Sequence, residues 1–168
     1  MRLERADRDA RGGLRLSPVR PATEADLDEV WALNRQAFAE AWTREALSRA
    51  LAEGFDIRVW RAASGELVAY WMSRDVADET HIMQLAVAPA RRRRGLGRQL
   101  AQRVLAEKRR AGIRTAWLEV RAGNRAARAL YGALGFEEAG VRRGYYTPAA
   151  EGAPREDAIV MRLDMRSG

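Results

Sequence analysis

Gln84–Gly97 reads QLAVAPARRRRGLG and packs three local preferences into a short span. Gln84–Ala88 is an apolar run suited to a buried strand, and Pro89 ends it because proline has no N–H to give a ladder. Four arginines and Gly95-Leu96-Gly97 follow. Leu96, Leu100, Val104 and Leu105 then recur at helical spacing, with Arg98, Arg103, Glu107 and Lys108 between them. The order strand, basic glycine loop, helix start is chemistry for an anion. Amides at a helix start lack internal partners and carry positive partial charge, and glycines let a phosphate approach the backbone closely. A kinase-type loop would need Lys-Ser or Lys-Thr after the glycines, and a dinucleotide loop would need Gly at position 100, where Leu stands. Taken alone, the stretch is equally a basic turn before an amphipathic helix.

Glu119 is a carboxylate inside the otherwise apolar run Trp117-Leu118-Glu119-Val120. If Leu118 and Val120 face a core, Glu119 points to the opposite side of the strand. It is then either an exposed carboxylate paired with Arg121 or Arg114, or a partly desolvated one that gains basicity and can take a proton. Tyr131 follows on the next helix, as a core residue with a bonded hydroxyl, as a proton donor, or as both. Asn124 sits where a helix N-cap is needed. A cap uses only its side-chain oxygen and leaves the amide NH₂ for a ligand. His81 reads as a satisfied strand residue, and Arg91 and Arg92 as solvated cations.

The chain excludes much by what it lacks. It has 168 residues, no cysteine and one histidine, so disulfides, thiol catalysis, histidine triads and multi-histidine metal sites are not expected. It has no run of 18 or more apolar residues and no apolar leader near Met1, so the expected location is the cytoplasm, without a membrane span. Net charge is +7, and Lys108 is the one lysine among 30 basic residues, so polyanions are attracted. Coenzyme A and RNA both qualify.

The elements that must position these residues follow in order. Residues 1–13 alternate charges without apolar periodicity and read as a mobile, disordered tail, with a single domain over 14–168. Leu14–Arg20 is a first strand. Thr23 caps a helix, with Asp26 at the capping-box position. Thr43 opens a second, shorter helix. Phe55–Ala62, Glu66–Val76 and Thr80–Ala88 form a meander. The long helix ends at Gly112, Thr115–Arg121 is a strand, and a helix runs from Asn124 to Leu134. Phe136–Arg142 and Asp157–Asp164 are the last strands. The fold class is mixed α/β, a mostly antiparallel mixed sheet with helices on both faces.

Two motifs carry a resemblance. Arg92-x-x-Gly95-x-Gly97 is similar to the R/Q-x-x-G-x-G/A signature of the GCN5-related N-acetyltransferases (GNAT). More specifically, DETHIMQLAV, RRGLGRQL, AWLEVRAGNRAARALYGALGF, RRGYY and REDAIVM resemble the ribosomal-protein-alanine branch, the RimI type, over about Arg15 to Met165. The resemblance implies the GNAT fold, with the sheet splayed after the third meander strand. It implies acetyl-CoA as co-substrate, no metal, and transfer to a protein N-terminus, the N-terminal alanine of a small-subunit ribosomal protein. Leu85, Ala86 and Val87 would line the pantetheine arm through their backbone. Arg93, Arg94, Gly95, Leu96, Gly97 and Arg98 would wrap the pyrophosphate, and Asn124 would touch the cofactor. Glu119 would be the general base and Tyr131 the general acid. Trp42, Tyr145 and Tyr146 would bind the acceptor. Direct attack by a monomer with no need of nucleic acid is expected, and the Val87 N–H is the candidate oxyanion donor. A small-molecule amine or lysine acceptor and a non-catalytic acyl-CoA- or RNA-binding module remain as alternatives. The chain departs from the branch at Ala41, where relatives often have proline, in the loop Thr147–Arg155, in the run of four arginines and in the extra N-terminal tail.

Overall fold

The computed structural model describes residues 7–148 and 150–166. Its strands are β1 (Arg20–Pro21), β2 (Asp56–Arg61), β3 (Leu67–Val76), β4 (Glu79–Val87), β5 (Thr115–Arg121), β6 (Glu137–Tyr146) and β7 (Glu156–Asp164). Its α-helices are α1 (Leu27–Ala37), α2 (Arg44–Ala52), α3 (Leu96–Arg110) and α4 (Arg125–Ala133). The sheet runs β1-β2-β3-β4-β5-β7-β6. β4 and β5 are parallel, whereas β1–β2, β5–β7 and β6–β7 are antiparallel. This is the mixed, mostly antiparallel sheet that the residue pattern predicts. Two compact units divide the chain: residues up to Met72 with Gln84–Leu100, and Ser73–Met83 with the residues from Ala101 on.

In the first unit, α1 and α2 bury one stripe each, Leu27, Val30 and Leu33 from α1 and Leu47 and Ala50 from α2. These join Ile57, Val59, Leu67, Tyr70, Met72 and Ala86 in one core. Leu67–Ser73 of β3 are buried residue after residue, the mark of a strand covered on both faces. α1 is entered through a 3₁₀ turn, Glu24–Asp26, in which the Asp26 carboxylate accepts from the Thr23 N–H at 2.8 Å. That is part of the expected capping box, which is present with Thr23 and Asp26 each serving the other's backbone, and Asp26 also collects Arg20 and Arg61, each at 2.8 Å. The Thr43 hydroxyl caps α2 by accepting from the Ala46 N–H.

Three expectations are corrected here. The first strand is not a seven-residue ladder. Leu16 bridges Ala62 and Leu14 bridges Arg8 in isolation, and only Arg20–Pro21 pair with β2. Pro18 and Pro21 supply no N–H, so a continuous ladder cannot form. Asp7–Gly13, expected within the mobile tail, fold back on themselves, while residues 1–6 lie outside the described residues. The Asp7 carboxylate is buried, accepting from the Ser64 N–H at 2.7 Å and the Ser64 hydroxyl at 2.8 Å. Arg91, expected in solvent, reaches Glu66 at 2.7 Å and Asp7 at 3.4 Å.

In the second unit β5 lies against β7 over the seven residues Thr115–Arg121. Leu118 and Val120 are buried, and Trp117, Glu119 and Arg121 take the other face. β6 continues through Tyr146, past the predicted end at Arg142, with a register shift between those residues. Gly112 at φ +98° follows α3 and Gly135 at φ +96° follows α4, the left-handed positions that end helices. Lys108 is buried on α3 and donates to both Asp75 oxygens at 2.8 Å.

Candidate active site

The first unit holds the strand, loop and helix start that the sequence pattern suggests for an anion. The chain leaves β4, turns through a 3₁₀ segment Pro89–Arg91, and enters α3 at Leu96. Arg93 at φ +63° and Gly95 at φ +72° take left-handed conformations just before the helix. The loop leads directly into α3, whose first-turn N–H groups have no intrahelical acceptor. Arg93, Arg94 and Arg98 are exposed beside it, and none has an acidic partner among the described residues. Leu96 and Gly97 are buried and fix the helix start. The donors suit a diphosphate.

Arg92, expected in solvent, donates from Nε to the Val87 carbonyl at 3.1 Å. The Ala88 N–H donates to the Val68 carbonyl at 2.7 Å. Since amide direction alternates along an extended chain, Ala86 shares that edge, whereas Leu85 and Val87 direct their N–H groups to the opposite one. β4 pairs in parallel with β5 at Glu79–His81 against Thr115–Trp117.

A buried polar knot in the same unit was not foreseen. The Asn34 amide donates to the Tyr70 hydroxyl at 2.8 Å and to Gln84 Oε1 at 2.7 Å, and Tyr70 donates to Gln84 at 2.8 Å. Asn34 Oδ1 accepts from the Trp42 N–H at 2.8 Å. Three mutually hydrogen-bonded buried groups thus tie the Trp42 loop to β3 and β4. The Trp42 ring packs edge-on against Phe55, with centroids 6.3 Å apart. No local pattern marks Asn34 or Gln84, and only the long-range pairing gives them meaning.

The second unit gathers the titratable groups. The Glu119 side chain is 16% exposed and meets neither Arg121 nor Arg114. Its Oε2 lies 2.5 Å from His81 Nε2, and its Oε1 accepts from Arg142 at 3.3 Å. The His81 hydrogen bond is the main reason that the Glu119 carboxyl sits below its ordinary pKa. Burial pushes the other way and Arg142 adds to the lowering. The expectation that desolvation makes Glu119 more basic is therefore overturned: its two partners outweigh its burial. Arg121 instead donates to the Thr147 carbonyl and pairs with Glu156.

Tyr131 is buried on α4, and its ring meets Phe136 edge-on at 5.4 Å. Burial raises its pKa, so the hydroxyl keeps its proton at neutral pH. No group among the described residues hydrogen-bonds that hydroxyl, unlike the bonded core tyrosine that packing alone would suggest. Asn124 is the α4 cap, its Oδ1 accepting from the Ala127 N–H at 3.1 Å. Tyr145 and Tyr146 lie edge to face at 5.0 Å, with the Arg142 guanidinium over the first ring at 4.3 Å and that of Arg121 over the second at 4.5 Å. Arg142 therefore joins Tyr145 to Glu119. Among the described residues no cluster of acidic or histidine side chains could hold a metal ion.

The chain is similar to known proteins over most of its length. The model of the acetyltransferase (GNAT) family matches residues 27–136. The [ribosomal protein bS18]-alanine N-acetyltransferase of Salmonella typhimurium is 40% identical over 138 residues, 82% of this chain and 90% of that protein. Its Escherichia coli counterpart is 38% identical over the same shares. The crystal structure of the ribosomal-protein-S18-alanine N-acetyltransferase from Escherichia coli superposes with a TM-score of 0.81 at 34% identity, covering 88% of this chain and 93% of that one.

Proposed function

Because the chain belongs to the acetyltransferase (GNAT) family, we propose that it moves the acetyl group of acetyl-CoA onto the α-amine of a protein N-terminus, the N-terminal alanine of a small-subunit ribosomal protein. The observation that carries this reading is the 40% identity to a bS18-alanine N-acetyltransferase over nine-tenths of that relative's length. In this reading the protein acts in the cytoplasm as a monomer, without a metal and without nucleic acid.

The roles follow from the chemistry. The loop amides and side chains of Arg93, Arg94, Gly95, Leu96, Gly97 and Arg98 hold the pyrophosphate. The Leu85–Val87 backbone pairs with the pantetheine arm, and the Val87 N–H donates to the oxygen that gains charge on attack. The free Asn124 amide contacts the cofactor. Trp42, Tyr145 and Tyr146 flank the acceptor. An α-amine with a pKa near 8 is mostly protonated at neutral pH, so a proton must be removed before attack, and Glu119 anchors the group that removes it. Tyr131, held protonated by burial, donates to the departing sulfur. The sequence contains no cysteine, so a cysteinyl acyl-enzyme is impossible and direct attack by the amine is the simplest course.

The test pairs acetyl-CoA with a short peptide that begins with alanine, following CoA release and peptide mass. Acetylation at the α-amine is expected, and Glu119→Gln is expected to lower kcat by about 10²–10⁴. A lysine-bearing peptide with a blocked N-terminus is expected to remain unmodified. Its acetylation, with the alanine peptide untouched, would replace this acceptor with an ε-amine.

A further inference from the structure

The reading above leaves open which atom takes the proton. Glu119 is poorly suited to do so alone. One of its oxygens is 2.5 Å from His81 Nε2 and the other accepts from Arg142, so both lone-pair sets that face the protein are engaged. An ionised carboxylate only accepts hydrogen bonds. The proton in the short contact therefore sits on Nε2, which leaves Nδ1 as the free lone pair of the neutral ring. No group among the described residues bonds Nδ1. The His81 side chain is 43% exposed, against 16% for Glu119, so the ring has access to solvent that the carboxylate lacks.

We propose that His81 Nδ1 is the proton acceptor of the acetyl transfer, and that Glu119 is its positioning partner, fixing the ring's tautomer and stabilising the imidazolium. This rests on the N-acetyltransferase reading. The logic is that of a carboxylate–histidine pair in nucleophilic catalysis, transferred to an amine that brings its own nucleophilic nitrogen. Two protons leave that nitrogen. The first passes from the ammonium to Nδ1 before attack and is later returned to solvent. The nitrogen lone pair then forms the C–N bond, the C–S bond breaks with its electrons on sulfur, and the second proton ends on that sulfur through the Tyr131 hydroxyl.

Other charged groups lie on the same and other strands of the sheet. Arg74 lies on the adjoining strand β3, Glu79 on β4 itself, Arg142 on β6, and Arg162 on β7, with its guanidinium 5.5 Å from the Trp117 ring. Glu119 alone is in hydrogen-bond contact, so it governs the ring.

The decisive variant is His81→Gln, whose amide can still donate to Glu119 but cannot titrate. Because His81 takes the ammonium proton inside the complex, the wild-type kcat/KM is expected to level off at a pH where the free acceptor amine is still protonated. In His81→Gln the amine must lose its proton to solvent first, so log(kcat/KM) is expected to keep rising with a slope of one up to the amine's own pKa near 8, and kcat to drop by about 10²–10⁴, with acetyl-CoA binding by calorimetry unchanged. A variant that keeps the wild-type pH profile and a rate within a few-fold of wild type would overturn the proposal and leave His81 a mere donor to Glu119. The chain has a single histidine, so a long-range ¹H–¹⁵N spectrum reads its tautomer directly. Nε2–H is expected, and an Nδ1–H ring would overturn the proposal without any assay. A wild type that acetylates no peptide α-amine would remove the underlying reading, a result separate from an active wild type with an unaffected variant.

Discussion

Single carboxylates in this chain are set by their partners more than by burial. Asp26 accepts from Arg20, Arg61 and the Thr23 N–H, and its carboxyl lies far below the ordinary range, with the Arg20 hydrogen bond as the largest cause. A depressed folded-state pKa contributes stability that is fully present above the unfolded value of about 4 and lost as pH falls below it. Urea midpoints measured from pH 7 to pH 3 should therefore fall in the acid range for the wild type and less steeply for Asp26→Asn. At pH 7, Asp26→Ala should cost about 3 kcal/mol, because Arg61, only 15% exposed, keeps its charge without that partner. An unchanged pH profile in Asp26→Asn would show the cluster to be ornamental. At this scale the sequence was half legible. Asp26 was placed in a capping box, and Glu119 was set apart as a lone carboxylate in an apolar strand. Their partners were not legible, because Arg61 and His81 come from other strands and are brought near by the sheet register, which no local pattern records.

Elements follow their local signals closely where glycine, proline and periodicity agree. β5 was delimited at Thr115–Arg121 and α2 at its Thr43 cap, and both stand as expected. The predicted first strand failed where prolines broke the ladder, and β6 outran its prediction because an exposed, arginine-rich strand shows no apolar alternation to read. Gly95 is the element-level requirement of the anion loop. A Cβ there would touch only Gln99 Nε2, at 3.9 Å, so space is not the obstacle, whereas φ +72° is. Gly95→Ala should lower stability by about 1–2 kcal/mol and weaken acetyl-CoA binding by calorimetry. Gly132 in α4 has open space around a Cβ, so Gly132→Ala should leave binding intact and gain up to about 1 kcal/mol. Equal effects from the two substitutions would rule out a conformational role for Gly95.

Across the molecule, a formal charge of +7 is unevenly neutralised. Arg20, Arg44, Arg61, Arg91 and Arg121 each have an acidic partner, whereas Arg93, Arg94 and Arg98 around the loop have none among the described residues. Attraction of a phosphate-bearing ligand should therefore be screened by salt. The acetyl-CoA Kd should rise several-fold between about 0.05 and 0.5 M NaCl, and the Arg93→Ala, Arg94→Ala double variant should flatten that dependence. A salt-independent Kd in the wild type would place the affinity elsewhere. Composition announced the excess of arginine but not where it was left unpaired, since pairing depends on which carboxylates the fold brings within reach. Lys108 is the chain's one lysine, and it lies 4% exposed against Asp75. A protein that handles an activated acyl donor thus offers almost no ε-amine of its own to stray acylation. Spontaneous self-modification, which would erase a cation and alter the mass of a lysine-rich surface, has nowhere on this chain's side chains to begin, and amine-directed labels would report on the α-amine alone.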